Sequence, residues 1–474
     1  AESGLDLEMD VKYQFDEQYM ADPLLKAVKD GEIEESLVDE KVRNILRMML
    51  RLKMIGPERK HRKTGAYNTE EHRRAVLDVA RESMILLKNE DQVLPLQAES
   101  GCKVAVIGAN AAAIHSNGGG SAEIKALYEI SPLMGIKKLL GGNVKVSYAP
   151  GYVIPDKKEA SEINWQAAST ETAENTEKES TVSGRALDEK QQEALAEAVA
   201  LAESSDIVIF VGGLNHDFDV EGLDRVNMKL PYGQDEVIDA LLKAVPDTVV
   251  CMYAGAPVEM PWAEKANAIL WSYYAGMEGG TALAEILSGK VNPSGKLAET
   301  FIRDASQCPA HTIGTFGKKD RVEYREGVMV GYRYYDTKKT DVLFPFGHGL
   351  SYTAFTYNDL EIIRQQENGR QTVKVSCSVT NTGKRAGKET IQIYVAPEQK
   401  KDRPVHELKA FEKVGLDAGE TKRICVILEE RDFSRYDTDK KMPVPVNGTY
   451  EIQVGASSTD ICLCGKIELF FAEG

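Results

Sequence analysis

The chain is 474 residues long, room for two to four domains, and is 42% hydrophobic and 28% charged, enough apolar matter for real cores. Its 58 Lys and Arg against 74 Asp and Glu leave a formal net charge of −16, the wrong sign for gripping a nucleic-acid backbone or an anionic membrane. No window approaches the roughly 18 unbroken apolar residues of a bilayer span, so nucleic acid and membrane are set aside as partners.

Taken in order, the chain opens at Ala1 with no starting Met and no basic-then-apolar leader, the pattern expected of a sequence shortened by processing or truncation. After Gly31, Ser36 is placed to cap a helix whose apolar positions Val38, Val42, Ile45, Leu46, Met49 and Leu50 recur at helical spacing, with Gly56-Pro57 as its stop. The Arg/Lys-rich run from Glu58 to Gly65 reads as a solvated linker. A second helix is predicted from Asn68 to about Lys88. Beyond it, strands at Lys103–Gly108, Val144–Ala149, Asp206–Gly213, Thr248–Tyr253 and Ala268–Tyr273 alternate with helices near Pro132–Leu140, Leu187–Ala202, Gln234–Ala244 and Gly280–Ser288. That alternation predicts a mostly parallel sheet covered on both faces. Only the polar stretch from Lys157 to Ser183 breaks it, as a long surface loop. From about Tyr352 the period drops to two. Thr372–Asn381, Glu389–Ala396, Lys422–Leu428 and Tyr450–Gly455, separated by turn signals, predict a β-sandwich of fibronectin type III size.

Seven cysteines, at 102, 251, 308, 377, 425, 462 and 464, are odd in number, and the close pair Cys462/Cys464 lacks a second pair to complete a zinc site. They predict reduced, mostly buried thiols and a reducing, cytoplasmic setting.

Open α/β sheets bind ligands beyond the carboxyl ends of their strands, and two such ends carry unusual loops. The first, after Lys103–Gly108, contains Asn117-Gly118-Gly119-Gly120-Ser121. Its glycines arrive too late for a dinucleotide fingerprint and leave a flexible turn or a ligand-lining loop. The second, after Asp206–Gly213, is Leu214-Asn215-His216-Asp217-Phe218-Asp219-Val220-Glu221-Gly222-Leu223-Asp224-Arg225. A metal site, a solvated acidic loop and a general acid whose neighbours raise its pKa all fit that composition. The aromatic clusters at Trp271–Tyr274 and Tyr332–Tyr335 fit either sugar stacking or core packing.

Several motifs together resemble the glycoside hydrolase family 3 β-glucosidases over nearly the whole length. They are Gly4-Leu5-Asp6-Leu7-Glu8-Met9, Arg81-Glu82-Ser83 with Leu86-Leu87-Lys88-Asn89, Glu221-Gly222-Leu223-Asp224-Arg225 with Leu230-Pro231 and Gln234, Asn292-Pro293-Ser294-Gly295-Lys296-Leu297, Phe344 to Tyr352, and Val379-Thr380-Asn381-Thr382-Gly383. The resemblance implies a multidomain α/β plus all-β chain. Residues 1–56 would close a (β/α)8 catalytic barrel, 57–67 would be a linker, 68–330 an α/β sandwich, 331–351 a connection, and 352–474 a fibronectin type III-like domain. It also implies retaining hydrolysis of terminal non-reducing β-D-glucosides, with a barrel Asp as nucleophile and a Glu as acid/base, roughly 5–5.5 Å apart. Glu221 matches the acid/base. Asp219 and Asp224 are expected to raise its pKa, and Arg225 to bond Asp224 or a loop carbonyl instead of Glu221. Asn117, Gly119 and Ser121 are expected to face the leaving group. The nucleophile's motif, an Asp beside a Trp, is missing from this chain, so the barrel is expected either from a separate upstream polypeptide or from a longer chain of which this is a fragment, and the chain alone is expected to be inactive. The partner in chemistry is an oligosaccharide or glycoside, with no metal or organic cofactor. Standing against this reading are a β-xylosidase of the same family, a noncatalytic carbohydrate-binding fragment and a nucleotide-binding α/β protein.

Overall fold

A computed structural model describes residues 3–9, 15–61, 63, 65–155, 185–222, 224–317, 321–367, 370–399 and 403–471. These divide into two compact units, one reaching Thr69 and the other starting at Glu70. The surface loop expected at 157–183 lies outside the described residues.

The first unit holds two helices, α1 (Asp22–Lys29) and α2 (Glu35–Arg51), and no strand among its described residues. Ser36 does not cap α2. Extended Glu34 occupies the cap position without a side-chain bond, which puts Ser36 inside the first turn. The predicted stripe is present but uncovered within this unit: Val42, Leu46 and Leu50 all remain exposed.

The second unit opens with α3 (Glu70–Ser83), which stops a turn and a half short of the predicted end at Lys88. Residues Ile85–Asn89 are instead a strand, β1, because their alternation serves two cores at once. Ile85 and Leu87 enter one cluster and Leu86 the other. Then follow β2 (Lys103–Ile107), α4 (Ala109–Ala112), α5 (Pro132–Leu140), β3 (Lys145–Ala149), α6 (Arg185–Glu203), β4 (Ile207–Gly213), α7 (Gln234–Ala244), β5 (Val249–Tyr253), β6 (Ala268–Trp271) and α8 (Gly279–Leu287). The strands form one sheet in the order β1-β6-β5-β4-β2-β3, parallel except for β1 against β6. Successive residues of β2 point into different cores: Ala105 and Ile107 with Phe210 and Trp271, Val104 and Val106 with Ile209 and Leu270. A sheet buried on both faces needs continuous apolar strands, which these are.

One carboxyl in this layer opposes folding. Asp235, in the first turn of α7, accepts a hydrogen bond from Trp262 Nε1 at 2.9 Å, and burial pushes its pKa up to about 6. The folded state therefore holds this proton more tightly than the unfolded chain, whose Asp titrates near 4. The stability it contributes is complete below about pH 4, declines as pH rises, and is gone above about pH 6. Asp235→Asn is expected to stabilise the fold at pH 7 by about 1 kcal/mol, after discounting for partial exposure and for the lost helix N-terminal charge. The gain should vanish near pH 4. Urea unfolding at the two pH values checks it.

Past α9 (Pro309–Thr312) and α10 (Tyr332–Lys338) comes the sandwich, built of β7 (Phe355–Glu367), β8 (Arg370–Asn381), β9 (Gly387–Pro397), β10 (Glu407–Leu416), β11 (Thr421–Leu428), β12 (Ser434–Asp437), β13 (Met442–Pro445), β14 (Gly448–Gly455) and β15 (Ile461–Leu469). Sheets β10-β9-β14-β15 and β11-β8-β7 face each other across a core of Val375, Val379, Ile393, Ile452 and Phe433, while β12 and β13 form a hairpin. The motifs 292–297 and 344–352 join sheet domain to sandwich. Asn292 Oδ1 accepts from Ser351 Oγ (2.9 Å) and Tyr352 N (2.8 Å), Asn292 Nδ2 donates to Ala386 O (3.0 Å), and Lys296 pairs with buried Glu389 at 3.0 Å.

The aromatic clusters pack against neighbours, with Trp271 and Tyr335 buried and Tyr273, Tyr274, Tyr332 and Tyr334 partly so. Trp271 is fully buried with its ring edge-on to Phe301 at 4.7 Å, and Tyr332 stacks on Phe346 at 4.5 Å. The thiols are all free, but only Cys251 and Cys377 are buried; Cys425, Cys462 and Cys464 are exposed. The expectation of mostly buried cysteines fails in the sandwich, where the outward positions of its strands admit a small thiol.

Candidate active site

The site is built where β2 and β4, neighbours at the middle of the sheet, end side by side. Gln234, fully buried at the start of α7, fixes the end of β4: its Oε1 accepts the Gly213 N–H and its Nε2 donates to the Gly213 carbonyl, both at 2.8 Å. Asn110 Nδ2, in α4 after β2, donates to the Leu214 carbonyl at 3.1 Å and ties the two strand ends together.

The loop after β4 then distributes its charged groups to separate partners. Asp217 accepts from Tyr232 OH at 3.1 Å. Asp219 Oδ2 accepts from Gly255 N at 2.7 Å and from Tyr274 OH at 2.9 Å. Burial, then the Asp219 charge and its hydrogen bond, drives the Tyr274 phenol far above its ordinary range, so it stays a donor. Arg225 Nη2 donates to the Pro257 carbonyl at 3.1 Å, a carbonyl as expected, though one from a neighbouring loop. Glu221 is exposed, and its Oε2 accepts the Ser121 N–H at 2.8 Å. With the carboxylates turned to different donors, the metal-cluster reading of this loop loses its ligand set.

The expected upward shift of Glu221 is not found. Hydrogen bonds from Ser121, hydroxyl first and backbone N–H second, hold its carboxyl below the usual range. Asp219 has its own donors and Glu221 is open to water, so neither repulsion nor desolvation dominates.

The Gly-rich loop lies alongside this segment. Asn117 O meets His216 Nε2 at 2.8 Å, Gly119 N donates to Asp219 O at 3.1 Å within a parallel bridge to Val220, and Ser121 reaches Glu221. The three residues expected to face a leaving group thus each hand a main-chain atom to the acidic loop. Asn117 Nδ2 is also taken, by Ser116 Oγ (3.0 Å) and Ile124 O (3.2 Å). Sequence reasoning does not single out Gly255, and it names His216 and Tyr274 without the partners they find here. Tyr274 reads from sequence as a sugar-stacking or core aromatic, and no local pattern announces that its hydroxyl crosses to Asp219, 55 positions away.

An exposed carboxyl with Oε2 anchored, beyond the end of a parallel strand, can exchange a proton with a bound ligand. Residues 84–352 match the Glycosyl hydrolase family 3 C-terminal domain, and residues 389–458 a Fibronectin type III-like domain. The chain is 38% identical over 463 residues to the thermostable beta-glucosidase B of Acetivibrio thermocellus, covering 98% of this chain and 56% of that protein. It is 37% identical over 478 residues to a beta-glucosidase of Bacteroides ovatus, covering 97% and 60%. The crystal structure of a family 3 beta-glucosidase from Bifidobacterium adolescentis superposes with a TM-score of 0.79 at 33% identity, covering 99% of this chain and 62% of that one. The chain spans less than two thirds of each of these relatives. The first match takes in more than half of the chain, including both loops that meet at Glu221, and on that ground the chain belongs to glycosyl hydrolase family 3.

Proposed function

We propose that this chain supplies the acid/base half of a retaining β-glucosidase site, with Glu221 protonating the leaving oxygen and later activating water. The observation that carries the reading is the Glu221 carboxyl itself, presented to solvent at a strand end with Oε2 anchored by Ser121. The relatives' names supply the substrate class, a β-D-glucoside. The nucleophile is assigned to a barrel segment outside these residues, since none of the chain's three Trp residues has an Asp beside it. Helices α1 and α2 are assigned to the end of that barrel, which would cover the exposed stripe of Val42, Leu46 and Leu50.

In the first half-reaction the nucleophile's carboxylate bonds to the anomeric carbon as the glycosidic C–O bond breaks, the broken bond's electron pair goes to the leaving oxygen, and that oxygen takes the proton from Glu221. In the second, the Glu221 carboxylate takes a proton from the water that attacks the glycosyl–enzyme ester. The test follows an aryl β-glucoside by NMR with a polypeptide carrying both carboxylates and, separately, with these 474 residues alone. Retention, with β-glucose formed first, and no turnover by the isolated chain are expected. First-formed α-glucose overturns the two-carboxylate retaining scheme, and turnover by the isolated chain at an ordinary enzymatic rate overturns the placement of the nucleophile elsewhere.

A further inference from the structure

We infer that the strap Gly119-Gly120-Ser121 is the positioning element of the acid/base, gripping one oxygen of Glu221 and leaving the other for the leaving group; this rests on the role just proposed for Glu221. Three observations converge on it. The strap and Asn117 just upstream of it meet the acidic loop three times: Asn117 O at His216 Nε2, Gly119 N at Asp219 O within a single parallel bridge, and Ser121 N at Glu221 Oε2. The strap passes at a distance only glycine permits. A Cβ on Gly120 would lie 2.5 Å from Glu221 Cβ and 3.0 Å from its backbone nitrogen, and one on Gly119 would lie 2.8 Å from Val220 Cγ2. Gly120 also sits at φ +77°, in the left-handed region where side chains are strained. And the bond it delivers has a direction suited to the chemistry. Ser121 N–H is a donor, so it strengthens as negative charge appears on Glu221 when the proton leaves for the departing oxygen.

The grip also sets the balance between the two half-reactions. A donor on the carboxylate favours the ionised form that serves as base in the second step, and eases departure of the proton from the protonated form that serves as acid in the first. A free Glu221 side chain would spread over several rotamers and spend less time aimed at the glycosidic oxygen.

The experiment uses the enzyme carrying both carboxylates. Gly120→Ala pushes Glu221 off the strap. Ser121→Ala removes the hydroxyl and keeps the N–H. Gly120→Ala is expected to lower kcat/KM about 10-fold for a glucoside with a poor leaving group, relative to an activated aryl glucoside, with KM little changed. The basic limb of the kcat/KM profile, which reports loss of the acid's proton, should move to higher pH. Ser121→Ala should move the limb in the same direction by less, which keeps the test usable if Gly120→Ala folds poorly. A merely structural glycine would lower activity on both substrates alike and leave the limb in place. Glu221→Ala with azide is measured in parallel. If azide rescues that variant while both strap variants keep the wild-type leaving-group ratio and pH limb, the strap inference alone is overturned. If azide fails to rescue Glu221→Ala, the acid/base assignment falls and takes the inference with it.

Discussion

Glu221→Ala, in the enzyme carrying both carboxylates, is expected to lower kcat/KM for alkyl glucosides and cello-oligosaccharides by about 10²- to 10⁴-fold, the usual share of a general acid. Activated aryl glucosides, whose leaving groups need no proton, should keep most of their first step. For them the slow step becomes attack of water on the ester, because no base remains to take its proton. Azide needs no base, so it should restore turnover of aryl glucosides and yield the β-glucosyl azide. The competing assignment is Asp219 as the acid, two residues earlier in the same loop. Its Oδ2 already accepts from Gly255 N and from the Tyr274 hydroxyl, which commits this oxygen to holding the loop. Asp219→Ala should therefore slow both kinds of substrate through displacement of the loop and show no azide rescue. The assignment is wrong if Asp219→Ala gives the leaving-group and azide signature and Glu221→Ala does not.

The second large effect lies far from chemistry. Glu285, buried in α8, receives Arg81 from α3 in a two-point bond, Nε to Oε2 at 2.6 Å and Nη2 to Oε1 at 2.9 Å, and Lys290 at 2.6 Å. Burial pushes the Glu285 carboxyl up, and the bonds from Arg81 and Lys290 more than reverse that, holding it below its usual range. Arg81→Met leaves the buried carboxylate with only the largely exposed Lys290. A loss of about 3 kcal/mol is expected, at the lower end for breaking a buried pair because one cation stays. Arg81→Met combined with Glu285→Leu should recover most of it, since two apolar groups on facing helices need no partners. The pH dependence follows from the sign. With its folded pKa depressed, Glu285 contributes stability above the unfolded value near 4.3 that is lost as pH falls through the folded one. The wild type should weaken in acid through this group and the double variant should not. Urea midpoints at pH 7 and pH 3.5 for the three proteins decide it. The neighbouring Glu82 reaches Lys413 at 2.8 Å and also pairs with Lys388, so α3 is tied to α8 by one side chain and to the sandwich by the next. That gives the Arg81-Glu82 motif a structural purpose.

What the sequence determined by itself is the part governed by local pattern. The helices at Pro132–Leu140 and Gln234–Ala244 appear with the bounds their spacing predicts, and the first is capped by Ser131 as its chemistry suggests. The two-residue period after Tyr352 likewise marks a β-sandwich, though β7, β10, β12, β13 and β15 are not read from it. Strand β1 is not read either. Residues Ile85–Asn89 continue a helical run, and only antiparallel pairing with β6 in a sheet buried on both sides makes extended backbone the better choice. At the site, the position beyond a strand end marks the acidic loop as a place for a ligand, and the resemblance of the motif around residue 221 proposes Glu221 within it. What only the tertiary structure decided is how that carboxyl is held. Chain neighbours Asp219 and Asp224 suggested a raised pKa; the bond that lowers it comes from Ser121, a hundred positions earlier. Composition reports which charges share a loop, but a pKa and an aim depend on which donors fold against it, and main-chain donors such as the Ser121 N–H carry no mark in the sequence.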